Sequence, residues 1–308
     1  MLNDKYQKLA EALKEQYKDA LILTEEPMKN HTTFRIGGPA DIYIEPAYSS
    51  IIPLIQYLKA SDVPFMVIGN GSNLLVSDEG IEGVVISLGK KTSAITISGD
   101  TMVVEAGAML ASVANAAADA GLTGLEFASG IPGSMGGAVF MNAGAYGGEI
   151  KDILESVMIL TTDMEKKVLM PEDLSLSYRH SSLMEEGGYV LSATLKLSRG
   201  NKDEIKAKID DIRKQRIEKQ PLNFPSAGST FKRPTGYFAG KLIDDAGLRG
   251  YTVGGAQVSE KHCGFIINKG GATAADVLQL MKDVDEKVYN EFGVHLTPEV
   301  RIVGRDFS

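Results

Sequence analysis

The chain has 308 residues, enough for about two domains and a sizeable core. Lys and Arg total 32 against 40 Asp and Glu, a formal charge of -8, which argues against nucleic acid as a partner. A single cysteine, Cys263, excludes an internal disulfide and a multi-thiolate metal site, and His31, His180, His262 and His295 show no metal-ligand spacing, so no bound metal is expected.

The first twenty residues, MLNDKYQKLAEALKEQYKDA, are charged throughout and lack the apolar centre and cleavage site of a signal peptide. No apolar run approaches the ~18 residues of a membrane span, so a cytoplasmic protein without membrane insertion is expected. Within this segment Tyr6, Leu9, Leu13 and Tyr17 recur every three or four residues and predict a short packing helix over residues 4 to 18.

From Thr32 to Ser198 the texture changes to short β-branched runs broken by glycine: DIYIEP, VPFMVIG, GVVISL, AITIS, TMVVEAG, SVMILTT and YVLSATLKL. These predict a mixed sheet region with one helix, Leu110 to Ala120. A polar stretch after Ser198 leads into DEIKAKIDDIRKQRIEKQP, where Ile205, Ile209, Ile212 and Arg216/Ile217 form a helical stripe stopped by Pro221. A domain boundary is read there. Beyond it the sequence predicts a helix from Ala239 to Ala246 and a strand at GFIIN. A helix opening at Thr273 with Asp276 in a capping box follows, then a last strand, EVRIVG.

Two glycine loops stand above this background. Gly69-Asn70-Gly71-Ser72-Asn73 follows an apolar strand; its glycines permit positive φ, and exposed amides with Ser72 and Asn73 suit an anionic oxygen. It lacks the Lys of a phosphate-binding P-loop and the helix of a dinucleotide fingerprint, so spacing alone leaves a tight hairpin turn equally open. The second loop, Gly130-Ile131-Pro132-Gly133-Ser134-Met135-Gly136-Gly137, begins a stretch with seven glycines between 130 and 148. Such density suits backbone lying flat against a large planar or phosphorylated ligand. The pair suggests one dinucleotide held at both ends.

Seven stretches, in order, resemble the UDP-N-acetylenolpyruvoylglucosamine reductases: NHTTFRIGGPAD (30–41), VIGNGSNLLVSD (67–78), GLEFASGIPGSMGGAVFMNAGAYG (124–147), SYRHS (177–181), SAGSTFKRP (226–234), AGKLIDDAGLRG (239–250) with GGAQV (254–258), and PEVRIVG (298–304). The resemblance implies an α+β chain: a vanillyl-alcohol-oxidase-type FAD-binding fold in two subdomains, residues 30–200, preceded by a helical segment, 1–29, and followed by an α/β substrate-binding domain, 201–308. The short spacing from Tyr178 to Ser229 places it in the family's shorter branch, without the substrate-covering loop.

The same resemblance implies non-covalent FAD, with GNGSN and GIPGSMGG as its pyrophosphate and isoalloxazine loops, and NADPH as co-substrate. The implied reaction delivers hydride from flavin N5 to C3 of UDP-N-acetylglucosamine enolpyruvate, yielding UDP-N-acetylmuramate for peptidoglycan. Arg179 would meet charge developing on the substrate carboxylate, Ser229 would give a proton to C2, and Glu299 would complete the catalytic set. A carboxylate at Glu299 would repel the substrate's own unless protonated or held by an arginine, so a raised pKa or a direct ion pair is expected. Tyr178, Lys219, Lys232 and Arg301 are the implied substrate contacts, with Arg233 and His262 undecided. Two other readings compete: an oxidase with covalently linked FAD, and a nucleotide-sugar transferase whose glycine loops hold UDP directly. The second is disfavoured because no Asp-x-Asp motif or P-loop lysine is present.

Overall fold

Asn3 caps helix Asp4–Gln16: its side chain accepts the Lys5 amide. The computed structural model describes residues 3–305. Tyr6, Leu9, Ala10 and Leu13 form the helix's buried stripe, and Tyr17 ends it one residue earlier than the periodicity suggests. A four-stranded sheet follows in the order Leu21–Pro27, Pro39–Glu45, Ile81–Ser87, Phe65–Ile68; the first pair is antiparallel and the others parallel.

Helix Ile51–Ala60 corrects the expectation of a single helix before Ser198. Its buried Ile51, Leu54, Ile55 and Leu58 carry the 3.6-residue period, but Pro53 masks it. Pro53 is third in the helix, where the backbone amide has no intrahelical acceptor to lose.

A second sheet, antiparallel throughout, runs Lys166–Leu169, Leu154–Leu160, Tyr189–Lys196, Thr101–Glu105, Ile95–Ser98. Helix Leu110–Asp119 turns Val113, Ala114, Ala117 and Ala118 inward. The two sheets share one continuous apolar core, in which Ile42, Ile44 and Val84 of the first join Met102, Val104 and Leu195 of the second. Helix Lys202–Lys219, placed in the C-terminal domain by sequence, packs against helix Leu110–Asp119 and the turn Glu126–Ala128.

The remaining chain builds a second core around helix Ala274–Phe292, whose Val277, Leu280, Val284 and Val288 face helix Ala239–Asp245 and a three-stranded antiparallel sheet. Phe34, Ile36 and Leu75 from the first part are buried in this same core. The last strand, Arg301–Val303, returns to pair in parallel with Leu74–Val76, directly behind the first glycine loop. No helix among the described residues is long and apolar enough to cross a membrane.

Helix Ala274–Phe292 has its first amides satisfied from both parts of the chain. Thr273 and Asp276 close the expected capping box, while the Asp78 carboxylate, 196 residues away, accepts the Ala274 and Ala275 amides at 2.8 and 3.0 Å. Asp78→Ala should therefore lower unfolding free energy by about 1 kcal/mol, the typical loss for an N-cap, in urea titrations. An unchanged midpoint would contradict this.

Candidate active site

The two glycine loops meet. Asn70 Nδ2 donates to the Pro132 carbonyl at 2.6 Å, so the first loop is pinned to the second. Between and beside them lies a cleft of about 680 Å³, lined by Asn30–Thr33, Gly69, Asn70, the turn after Ser87, Gly107–Met109 and Ser134. Such a volume lies within the ~300–1,000 Å³ range of ligand clefts.

Three observations fit FAD to this cleft. Among the described residues the amides of Asn70, Gly71, Ser72 and Asn73 donate to no protein acceptor, which leaves a run of N–H groups for an anion such as a diphosphate. Ser134 is 2 % exposed, and its Oγ at the cleft wall has no partner among the described residues, so a ligand in the cleft could supply one. The first loop also passes too close to its neighbours for a Cβ at either glycine: one at Gly69 would fall 2.0 Å from Ser134 Oγ, and one at Gly71 2.1 Å from the His31 carbonyl. His31 in turn stacks on Tyr43, 3.8 Å between centroids, with Nε2 2.9 Å from Glu26 Oε1.

In the second loop, Ile131 closes a turn onto Ala128, Gly133 accepts the Leu110 amide, and Gly136 abuts Ala106. The loop then becomes helix Met135–Phe140, which glycine density hid from sequence; Gly137 lies in its first turn. Gly71 has φ +60, so Gly71→Ala adds left-handed strain of about 1–2 kcal/mol to the collision with His31. FAD affinity, read by flavin fluorescence quenching, should fall at least about tenfold, the equivalent of 1.4 kcal/mol. Parent-like affinity would show that the loop does not hold the cofactor.

Tyr178 and Arg179 form the tip of a tight turn closed by reciprocal Ser177–His180 backbone bonds of 3.2 Å. Arg179 sits at φ +54, an uncommon conformation for a branchless but bulky residue. Its Nε donates to Glu299 Oε1 at 2.7 Å and its Nη2 to the Gly144 carbonyl at 2.8 Å. The expected ion pair is thus present between residues 120 apart, with side chains only 22 % and 13 % exposed.

Ser229 is brought beside this pair by its neighbour. The Thr230 carbonyl accepts the Glu299 amide at 2.8 Å, and the Thr230 hydroxyl accepts the Ile266 amide. Ser229 itself follows Gly228 at φ +79, and its hydroxyl has no partner among the described residues.

The basic residues are less uniformly gathered. Arg233 lies over Phe238 at 4.5 Å, and its amide reaches the Tyr178 hydroxyl at 3.4 Å. Arg301 lies over Phe140 at 4.9 Å, and partial desolvation lowers its pKa. Lys232 is tied through its amide to Thr297, leaving its ammonium without a partner among the described residues. Among the described residues Lys219, on the last turn of its helix, reaches only Gln215, at 3.4 Å, and no member of the Arg179–Glu299–Ser229 group. His262 accepts the Gly264 amide and burial lowers its pKa, while burial pushes the Cys263 thiol up to about 11.

Sequence reasoning missed two residues here. Asn142 is fully buried: its amide donates to Glu149 and to the Ser177 carbonyl, each at 2.8 Å, and its oxygen accepts the Lys151 amide. It thereby fixes the turn that presents Arg179. Its only signal was its place in the glycine-dense stretch. Arg216 packs so closely on Gly130 that a Cβ there would meet its side chain at 2.3 Å; burial lowers its pKa, and no carboxylate pairs with it among the described residues. It stands one helical turn before Lys219, a signal legible once that lysine is singled out.

Residues 42–165 match the FAD binding domain model, and residues 220–303 match the C-terminal domain model of UDP-N-acetylenolpyruvoylglucosamine reductase. The chain is 58% identical to the UDP-N-acetylenolpyruvoylglucosamine reductase of Agathobacter rectalis, over 97% of this chain and 99% of that protein. It is 52% identical to that of Caldanaerobacter subterraneus, over 96% and 98%. Its fold matches the crystal structure of the Thermus caldophilus enzyme with a TM-score of 0.78 at 38% identity, covering 92% of this chain and 98% of that one. FAD is the cofactor these matches and the cleft support together. The chain belongs to the UDP-N-acetylenolpyruvoylglucosamine reductase family.

Proposed function

We propose that the protein reduces UDP-N-acetylglucosamine enolpyruvate to UDP-N-acetylmuramate, with NADPH as electron source, in peptidoglycan precursor synthesis. Bound FAD would supply the redox chemistry, taking two electrons from NADPH and passing them as hydride to C3 of the enolpyruvyl group. The single observation that carries the reading is the Arg179–Glu299 pair beside Ser229, because reduction of an enolpyruvyl ether needs just these functions near one another.

Arg179 has three N–H groups left after its bonds to Glu299 and Gly144, enough to grip the substrate carboxylate, where charge accumulates as C3 is reduced. Glu299 fixes the guanidinium's plane and keeps it from rotating away. The Ser229 hydroxyl, with no acceptor among the described residues, donates the proton to C2, and the Lys232 ammonium on the same segment, likewise without a partner among them, favours the alkoxide that results. Lys219, Lys232 and Arg301 would neutralise the diphosphate, Tyr178 would flank it, and Arg216 offers a further cation near the second glycine loop. In this reading residues 30–200 hold the cofactor and residues 201–308 the substrate, with helix Lys202–Lys219 riding on the first part.

The test is anaerobic. NADPH should bleach the flavin of the purified protein, and addition of UDP-N-acetylglucosamine enolpyruvate should restore the oxidised spectrum. Bleaching without recovery would remove the substrate assignment while leaving the cofactor.

A further inference from the structure

The sequence reading puts Asn73 among the cofactor contacts, but its side-chain amide points into the other half of the site. Nδ2 donates to the Glu299 carbonyl at 3.1 Å, across 226 residues, with Met141 Sδ at 3.8 Å beneath it. The Asn73 carbonyl accepts the Arg301 amide at 2.9 Å, which opens the parallel ladder between Leu74–Val76 and Arg301–Val303. One residue of the first glycine loop therefore holds the peptide of Glu299 and the start of the strand that follows it.

The opposite side of the loop reaches the catalytic serine. The Gly71 carbonyl accepts the Thr33 amide at 3.3 Å, and the Thr33 hydroxyl donates to the Ser226 carbonyl at 2.7 Å, three residues before Ser229. Thus the loop with free amides, which lines the cofactor cleft through Gly69 and Asn70, is one hydrogen bond from the Glu299 segment and two from the Ser229 segment.

We propose that Thr33 and Asn73 are positioning residues that couple an occupied cofactor loop to the placement of Ser229 and Glu299. The inference rests on the catalytic reading above and adds to it a direction of control. An anion seated on the amides of residues 70–73 fixes the loop, and the loop fixes the two peptides. Without the Thr33 hydroxyl or the Asn73 amide, the Ser226 or Glu299 carbonyl loses its partner and the segment its tie to the loop. Binding linkage makes the effect reciprocal: a ligand that orders the catalytic segments must tighten FAD by the same factor.

The experiment uses full-length protein loaded with FAD, as parent, Thr33→Val, Thr33→Ser and Asn73→Ala. Valine keeps the shape of threonine and removes only the donor, so it carries the test even where Asn73→Ala disturbs folding. Two quantities are read: the ratio of flavin reoxidation by the enolpyruvyl substrate to bleaching by NADPH, and the FAD dissociation constant with and without UDP-N-acetylmuramate. In the parent the nucleotide sugar should tighten FAD by about fivefold or more, within the usual range of coupling between sites. In Thr33→Val and Asn73→Ala that factor should fall towards one and the rate ratio should drop about tenfold, as expected when a reacting group is slightly misplaced. Thr33→Ser, which restores the hydroxyl, should return both towards parent values.

Variants that keep the parent's tightening factor, or that slow both half-reactions alike, overturn the coupling. A parent that is bleached but not reoxidised overturns the catalytic reading, and the inference with it. The two failures are distinguishable because only the second is seen in the parent.

Discussion

Ser229→Ala should bleach with NADPH as the parent does and recover its oxidised spectrum on substrate addition ~10²–10⁴-fold more slowly, the usual contribution of a positioned proton donor. The prediction follows from where the hydroxyl is. Its neighbour Thr230 is tied by carbonyl to Glu299 and by hydroxyl to the Ile266 amide, so the chain just after Ser229 is fixed, while Gly228 makes the turn before it. The hydroxyl alone is uncommitted, which suits a group that must give up a proton and take another from solvent. Ser226 provides the internal comparison: it is the other serine of the segment, and its carbonyl is already used by Thr33. Ser226→Ala should slow reoxidation by less than about threefold, the ordinary effect of a substitution away from the chemistry. A reversal of the two results, with Ser226→Ala the slow variant, would move the proton donor by three residues and unseat the present assignment.

The parts of this site that were legible in sequence are those specified locally. A glycine needed at φ +60, where a Cβ would also strike a carbonyl, announces itself by being glycine, as Gly71 does in the first loop, while the second loop was found by its glycine density. The Thr273–Asp276 capping box is equally local and formed as expected. Helix Ile51–Ala60 was hidden although its apolar period is present, because Pro53 reads as a breaker unless the start of the helix is known. Helix Met135–Phe140 was hidden because three of the four residues beginning it carry little side-chain signal.

What sequence could not show was closure over distance. The Asp78 carboxylate at a helix start 196 residues on, the Asn73 amide on the Glu299 carbonyl, and Asn142 beneath the Tyr178–Arg179 turn are ordinary polar residues until the fold places them. Arg179, Ser229 and Glu299 were named by resemblance to a family, since the motif around each is too weak to argue alone. The structure adds an independent reason to group them: a 2.7 Å ion pair and a backbone bond from Glu299 to the residue after Ser229.

Arg179→Ala is expected to slow reoxidation by ~10²–10³-fold, comparable to removing one preorganised donor from a developing oxyanion. It should also destabilise the protein by ~1–3 kcal/mol, because the mostly buried Glu299 carboxylate is left without its cation. Arg179→Lys should restore little of either, since a lysine ammonium cannot bond Glu299, Gly144 and a substrate carboxylate with one rigid plane. Two further variants separate the causes. Arg179→Gly relieves the left-handed backbone, φ +54, and so should be more stable than the alanine variant while equally slow. The double variant Arg179→Ala with Glu299→Ala removes the stranded charge, so its stability should exceed that of Arg179→Ala alone even though two contacts have gone. If the double variant were instead less stable by the sum of the single losses, the two side chains would be acting independently. The contact between them would then be incidental to the site, and Glu299 would need a role of its own in the chemistry rather than one exercised through the arginine.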